Sequence, residues 1–126
     1  MGIDISDDPG RNLTVFAATG ELTYEAQIDV LRKFYTGRPT PNVIWDLRAL
    51  TGMRLSTEEI AKIIAYIKKY QSVRPKGKTA LVTSTDVDFG LSRMSEMLAE
   101  GEKVPWSIRA FRSMAQAMQW IDDTQT

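Results

Sequence analysis

Asp46 and Arg48 stand two residues apart at the end of the apolar run Val43-Ile44-Trp45. A carboxylate and a guanidinium at that spacing can hold a polar ligand, or can simply fasten the loop that leads to Arg54. Asp86 and Asp88 offer hard oxygen donors of the kind Mg²⁺ takes. No third ligand or phosphate-binding loop accompanies them, and both lie where a helix start favours negative charge. The letters Asp88-Phe89-Gly90 echo a kinase metal-binding motif, but the catalytic-loop histidine and the Gly-rich strand are missing. Ligands of open parallel sheets bind beyond the carboxyl ends of the strands. Here that rim would collect Glu21, Asp46, Arg48, Arg54, Ser56, Ser84, Thr85, Asp86, Asp88 and Arg112.

Composition removes several chemistries. The 126 residues carry 16 Lys+Arg against 16 Asp+Glu, with no His and no Cys. A Cys/His zinc site, a disulfide, a thiol nucleophile and a Ser-His-Asp triad are therefore excluded. The zero net charge gives no field for a polyanion, so nucleic acid is not an expected partner. Glycines at 2, 10, 20, 37, 52, 77, 90 and 101 are too far apart to assemble a dinucleotide fingerprint or a phosphate-binding loop. No cofactor and no metal are expected. The acidic start and the lack of a long apolar run make the cytoplasm the expected location.

The elements that must position these residues are legible in sequence. Ile3 and Ile5, a turn at Asp7-Asp8-Pro9-Gly10, and the run Leu13 to Ala18 read as a hairpin. A helix opens on Thr23 as N-cap, carries Tyr24, Ile28, Leu31 and Phe34/Tyr35, and stops at Gly37. Val43 to Leu47 reads as a strand covered on both faces. Ser56-Thr57-Glu58-Glu59 is a capping box, with Leu55 and Ile60 placed as its staple, ahead of the stripe Ile60, Ile63, Ile64, Ile67 and Tyr70. Thr79 to Thr83 is a strand, and a helix from about Asp86 to Glu100 would bury Val87, Leu91, Met94 and Leu98. Trp106 to Ala110 is a strand, and Ser113 opens a last helix through Met114, Ala117, Met118 and Ile121, followed by a frayed tail at 122–126. The order ββαβαβαβα predicts one α/β domain over residues 1–126, with a mainly parallel five-stranded sheet and four helices.

Three further groups carry alternative readings. Lys68 to Lys78 holds five basic residues and no acid, a candidate anion contact or a solvated helix end. Met94, Met97, Met114 and Met118 are candidates for an adaptable groove or for ordinary core. Phe16, Trp45 and Leu81 share strand parity and would form a partly open apolar interface if the helices gather on the other face.

The stretch Gly20-Glu21-Leu22-Thr23, then Val43 to Arg48, then Arg109-Ala110-Phe111-Arg112-Ser113 with Ala117 and Trp120-Ile121, resembles a bacterial family of small stand-alone proteins. Its members have the fold of the anti-sigma-factor antagonists, the STAS class, which is grouped with the CRAL-TRIO lipid-binding domains. The resemblance covers roughly residues 12 to 122 and implies a STAS-like fold. In the antagonists a partner kinase phosphorylates the serine of an Asp-Ser-Ser-Gly motif. The corresponding positions here are Arg54-Leu55-Ser56-Thr57, where only Ser56 matches, so Ser56 is the candidate phosphosite beside its N-cap role.

The expected function is a non-catalytic binding or regulatory module that engages a protein partner, with homodimerisation through the apolar sheet face. The alternative is a carrier or sensor of a lipid or other apolar small ligand. An enzyme using Asp46 with Arg48 is the third reading.

Overall fold

The computed structural model describes residues 2–123. Strand β1 (Gly2–Asp8) turns through a single 3₁₀ turn at Pro9–Arg11 into β2 (Leu13–Thr23). There follow α1 (Tyr24–Thr36), β3 (Asn42–Arg54), α2 (Thr57–Lys68), β4 (Lys78–Val82), α3 (Asp86–Glu102), β5 (Ser107–Phe111) and α4 (Met114–Asp122). One five-stranded sheet runs in the order β1-β2-β3-β4-β5. β1 is antiparallel to β2 and the remaining pairs are parallel. Fold class, element order and the one antiparallel strand are as the sequence predicts.

Sequential strand order has a topological consequence. Each β-α-β crossover steps the same way across the sheet, so right-handed connections put α1, α2 and α3 on one face and leave the other to α4. The buried side chains divide accordingly. Phe16, Trp45, Leu31, Tyr35, Ile60 and Ile64 belong to one cluster, while Leu13, Ile44, Val82, Phe111, Trp120 and Ile121 form a second.

This division corrects the expected apolar interface. Phe16, Trp45 and Leu81 do share a face, but it is the one the three helices cover. Phe16 is wholly buried, edge-on to Phe34 at 5.4 Å and against Trp45 at 4.6 Å, and Leu81 packs half-buried beside them. On the opposite face α4 covers Ile44, Ala80 and Val82. The methionines divide the same way, Met94 packing with the first cluster and Met114 and Met118 with the second, so they form no common groove.

The caps hold. Thr23 accepts from the Ala26 amide at 3.2 Å, and Ser56 and Glu59 close the reciprocal box at 3.1 and 3.0 Å. Leu55 and Ile60 are buried in one cluster, as a staple requires. α3 is capped by Thr85, which accepts from the Asp88 amide, and not by its aspartates. Its expected stripe is also displaced. Val87 is 74% exposed, and the face turned inward is Asp88, Ser92 and Ala99. Small residues there let the helix approach the sheet, and Leu91, Met94 and Leu98 pack along its flank.

β3 continues to Arg54, where a loop was expected. Residues 49–54 pair with Thr19 to Thr23 of β2, after one register shift and across a second, with Gly20 at φ 78° beside the second. The basic run is only partly solvated, because Arg74 and Lys78 are buried. Lys78 Nζ donates to the Trp120 carbonyl at 2.6 Å and to that of Asp123. Asp122 pairs with Arg11 at 2.9 Å. The first part of the expected frayed tail is therefore fastened, and 124–126 lie outside the described residues.

The β5 edge is occupied by a side chain, since Glu96 of α3 accepts from the Ala110 amide at 3.1 Å. Glu96→Ala leaves that amide open to pairing with another chain. The expected cost is about 1 kcal/mol, with association beyond the wild type's as concentration rises. Light scattering alongside urea denaturation checks both, and an unchanged scattering mass would show that the helix covers the edge without Glu96.

Candidate functional site

At the carboxyl ends of the strands, five of the expected rim residues are linked. Arg48 grips Asp46 with two parallel bonds, Nε to Oδ1 at 2.9 Å and Nη2 to Oδ2 at 3.0 Å. Ser84 Oγ donates to the Arg48 carbonyl at 3.0 Å. Arg112 donates to the Ser84 carbonyl at 3.3 Å and to Asp86 at 2.6 Å. Arg54 is apart from this chain, paired with Glu21 at 3.1 Å across the β2–β3 arm, and Ser56 is exposed at the head of α2. Asp86 is exposed and Asp88 buried, so they share no donor set, and no group of three metal-ligating residues forms among the described residues.

The rim thus joins its charges to one another. The strand order never reverses among the described strands, so the crossovers through α1, α2 and α3 do not diverge to open a crevice between them. Hydrogen bonds from Arg48 hold the Asp46 carboxyl below its ordinary range. A carboxylate depressed in the folded state stabilises the fold above its unfolded value of about 3.9, and this contribution is lost as pH falls through the folded value. Asp46→Asn is therefore expected to cost up to about 1 kcal/mol at neutral pH, and the difference from wild type should shrink once the pH drops below about 4. Urea midpoints at neutral and acid pH check it. A difference that persists undiminished in acid would assign the loss to something other than the charge.

A different site emerges beneath the helices. An apolar cavity of ≈ 60 Å³ lies between the sheet and α1, α2 and α3, walled by residues such as Phe16, Trp45, Leu47, Ile63, Ile64 and Ile67. Polar side chains also reach its wall, namely Gln27, Tyr35, Arg74, Thr79, Ser92 and Ser95. Ser92 is wholly buried and its Oγ has no hydrogen-bond partner, and Gln27 Oε1 is likewise buried and unpaired. Buried polar groups are nearly always satisfied, so two orphans on one cavity wall are notable.

Arg74 is the group sequence reading missed. It is 4% exposed and bridges three chain segments. Nε donates to the Thr40 carbonyl at 3.1 Å, and Nη2 to Pro41 at 2.9 Å, Lys78 at 3.3 Å and Thr79 Oγ1 at 2.8 Å. Its guanidinium lies over the Trp106 ring at 4.7 Å. Nη1 has one long contact, 3.4 Å to the Tyr35 hydroxyl. Burial lowers the Arg74 pKa and pushes the Tyr35 phenol up. The one signal in sequence was a basic residue in front of Pro75 within a run read as solvated.

Neither a family model nor a curated protein matches the chain. Among solved structures, it is similar to an uncharacterised protein of the DUF3478 family from Shewanella loihica PV-4, described as having a SpoIIAA-like fold. The two are 20% identical, with 95% of this chain and 92% of that one covered and a TM-score of 0.58. Together with the order ββαβαβαβα and the single antiparallel strand, that likeness gives this chain the SpoIIAA-like, STAS-like fold.

Proposed function

We propose that the protein is a non-catalytic module that holds a small, largely apolar ligand between its sheet and α1–α3. The observation that carries this reading is the cavity itself, lined by aromatic and branched aliphatic side chains yet including the unpaired Ser92 Oγ and Gln27 Oε1. A lining that is mostly apolar with a few placed polar groups is that of small-molecule sites, and with ≈ 60 Å³ of space a ligand enters by parting the side chains around it. The rim offers less to catalysis, because Asp46, Arg48, Asp86 and Arg112 are spent on one another. Native mass spectrometry and organic extraction of protein purified from its own cells test the proposal. A bound small molecule that raises the melting temperature when added back supports it. Ligand-free protein with no thermal shift across an apolar panel would overturn it.

The reading as a protein-docking module has its own observation. Val87 and Met97 on α3 are 74% and 64% exposed, on a helix whose neighbouring apolar residues are only half-buried. Replacing both by aspartate should abolish any partner complex and leave stability within about 0.5 kcal/mol. A complex that survives the double change would remove this surface from consideration.

A further inference from the structure

We infer that the cavity's ligand is a carboxylate on a short apolar tail, its head received by Arg74 and Tyr35. This rests on the cavity being the binding site and adds the chemical class of what fills it.

Every acceptor that Arg74 meets is neutral: carbonyls, a threonine hydroxyl and a tyrosine hydroxyl. No carboxylate faces it among the described residues. A buried cation without an anion is costly, because neutral dipoles replace only part of the lost hydration. The fold has satisfied one edge of the guanidinium, with Nε and Nη2 sharing four acceptors, and has left Nη1 with one weak contact. Beside it, Tyr35 is 3% exposed, and its ring stacks on Tyr70 at 4.8 Å. The Tyr35 oxygen accepts from Arg74, so its own proton remains to be donated. Arg74 and Tyr35 both line the cavity, so Nη1 and the phenol are adjacent donors there, one charged and one neutral. Two neighbouring donors suit the two oxygens of a carboxylate, and the anion supplies the missing counter-charge.

The remaining wall is hydrocarbon, which fits the tail. The ≈ 60 Å³ of the cavity is small beside the roughly 150 Å³ that takes benzene. The tail is therefore short, and its entry parts the side chains around it.

The test compares two series, acetate to hexanoate and ethanol to 1-hexanol, by calorimetry on the intact protein. The hexanoate and 1-hexanol pair, equal in chain length and differing in charge, is its longest member, and the shortest pair that binds is the one compared. A purely apolar cavity favours the alcohol, since a carboxylate loses far more hydration on burial. The inference expects the carboxylate to bind at least about tenfold more tightly, as for hydrogen bonds to a charged group. It also expects Tyr35→Phe to weaken the carboxylate and leave the alcohol unchanged. Equal or tighter binding of the alcohol overturns the carboxylate and leaves the apolar site standing. Carboxylate binding that Tyr35→Phe does not touch overturns the placement of the head. Failure of both series overturns the inference together with the site.

Discussion

Gly77→Ala is expected to cost about 3 kcal/mol, the top of the range for forcing an extra methyl group into a packed site. An alanine Cβ would fall against the backbone of Pro41, inside contact distance of its carbonyl oxygen, 2.5 Å from the carbonyl carbon and 2.9 Å from its Cβ. Neither side can yield cheaply. The Pro41 carbonyl is held by Arg74, the Gly77 carbonyl accepts from the Ser107 amide at 3.1 Å, and Trp106 Nε1 donates to Pro75 at 3.2 Å. The segment between α2 and β4 is therefore clamped on both sides. Gly52→Ala is the control, because nothing lies within 4 Å of its added methyl group. It should be neutral or slightly stabilising, by up to about 1 kcal/mol. Urea denaturation of both variants decides the matter. A loss below about 1 kcal/mol at Gly77 would mean that the 37–42 connection moves aside and that the clamp is looser than its bonds imply.

What was legible in sequence was local. Leu55, Ser56, Glu59 and Ile60 carry the start of α2 within six consecutive positions, and they are found as read. The alternation of elements gave a mainly parallel sheet with one antiparallel strand, and the structure has both. The parity of Phe16, Trp45 and Leu81 correctly placed them on one face. It could not tell which face is covered, since that depends on the direction of three crossovers and on no residue nearby. The α3 stripe held for Leu91, Met94 and Leu98, which pack against the core, and missed at Val87 and in the centre of the buried face. Val87, Leu91, Met94 and Leu98 have helical spacing, but the helix turns Ser92 and Ala99 to the sheet, where small side chains permit close packing.

The candidate sites divide along the same line. Asp46, Arg48, Ser84 and Asp86 were readable as a group because strand ends in a parallel sheet converge, and a chain of bonds does join them. The cavity was not readable, because its wall is assembled from β2, β3, β4, β5 and three helices. Arg74 was misread for want of its neighbours. The acceptors that bury it come from Tyr35, Thr40 and Pro41, more than thirty residues earlier in the chain.

Arg74→Met should be the costliest change of a charged residue, about 3 kcal/mol by urea denaturation, and it is a contest between opposed terms. Methionine matches the stem of the side chain and removes a buried cation, which relieves several kcal/mol of lost hydration. Against that, the carbonyls of Thr40, Pro41 and Lys78 lose a donor, at about 1–3 kcal/mol for each left unpaired, and the contact with Trp106 goes too. Three orphaned acceptors outweigh one relieved charge. Arg74→Lys should recover less than half of the loss, because a single ammonium cannot span acceptors that a planar fork reaches from two sides. A methionine variant as stable as wild type would reverse the balance. The guanidinium would then be retained at the expense of stability, which leaves an incoming anion as the reason for a cation at the cavity wall.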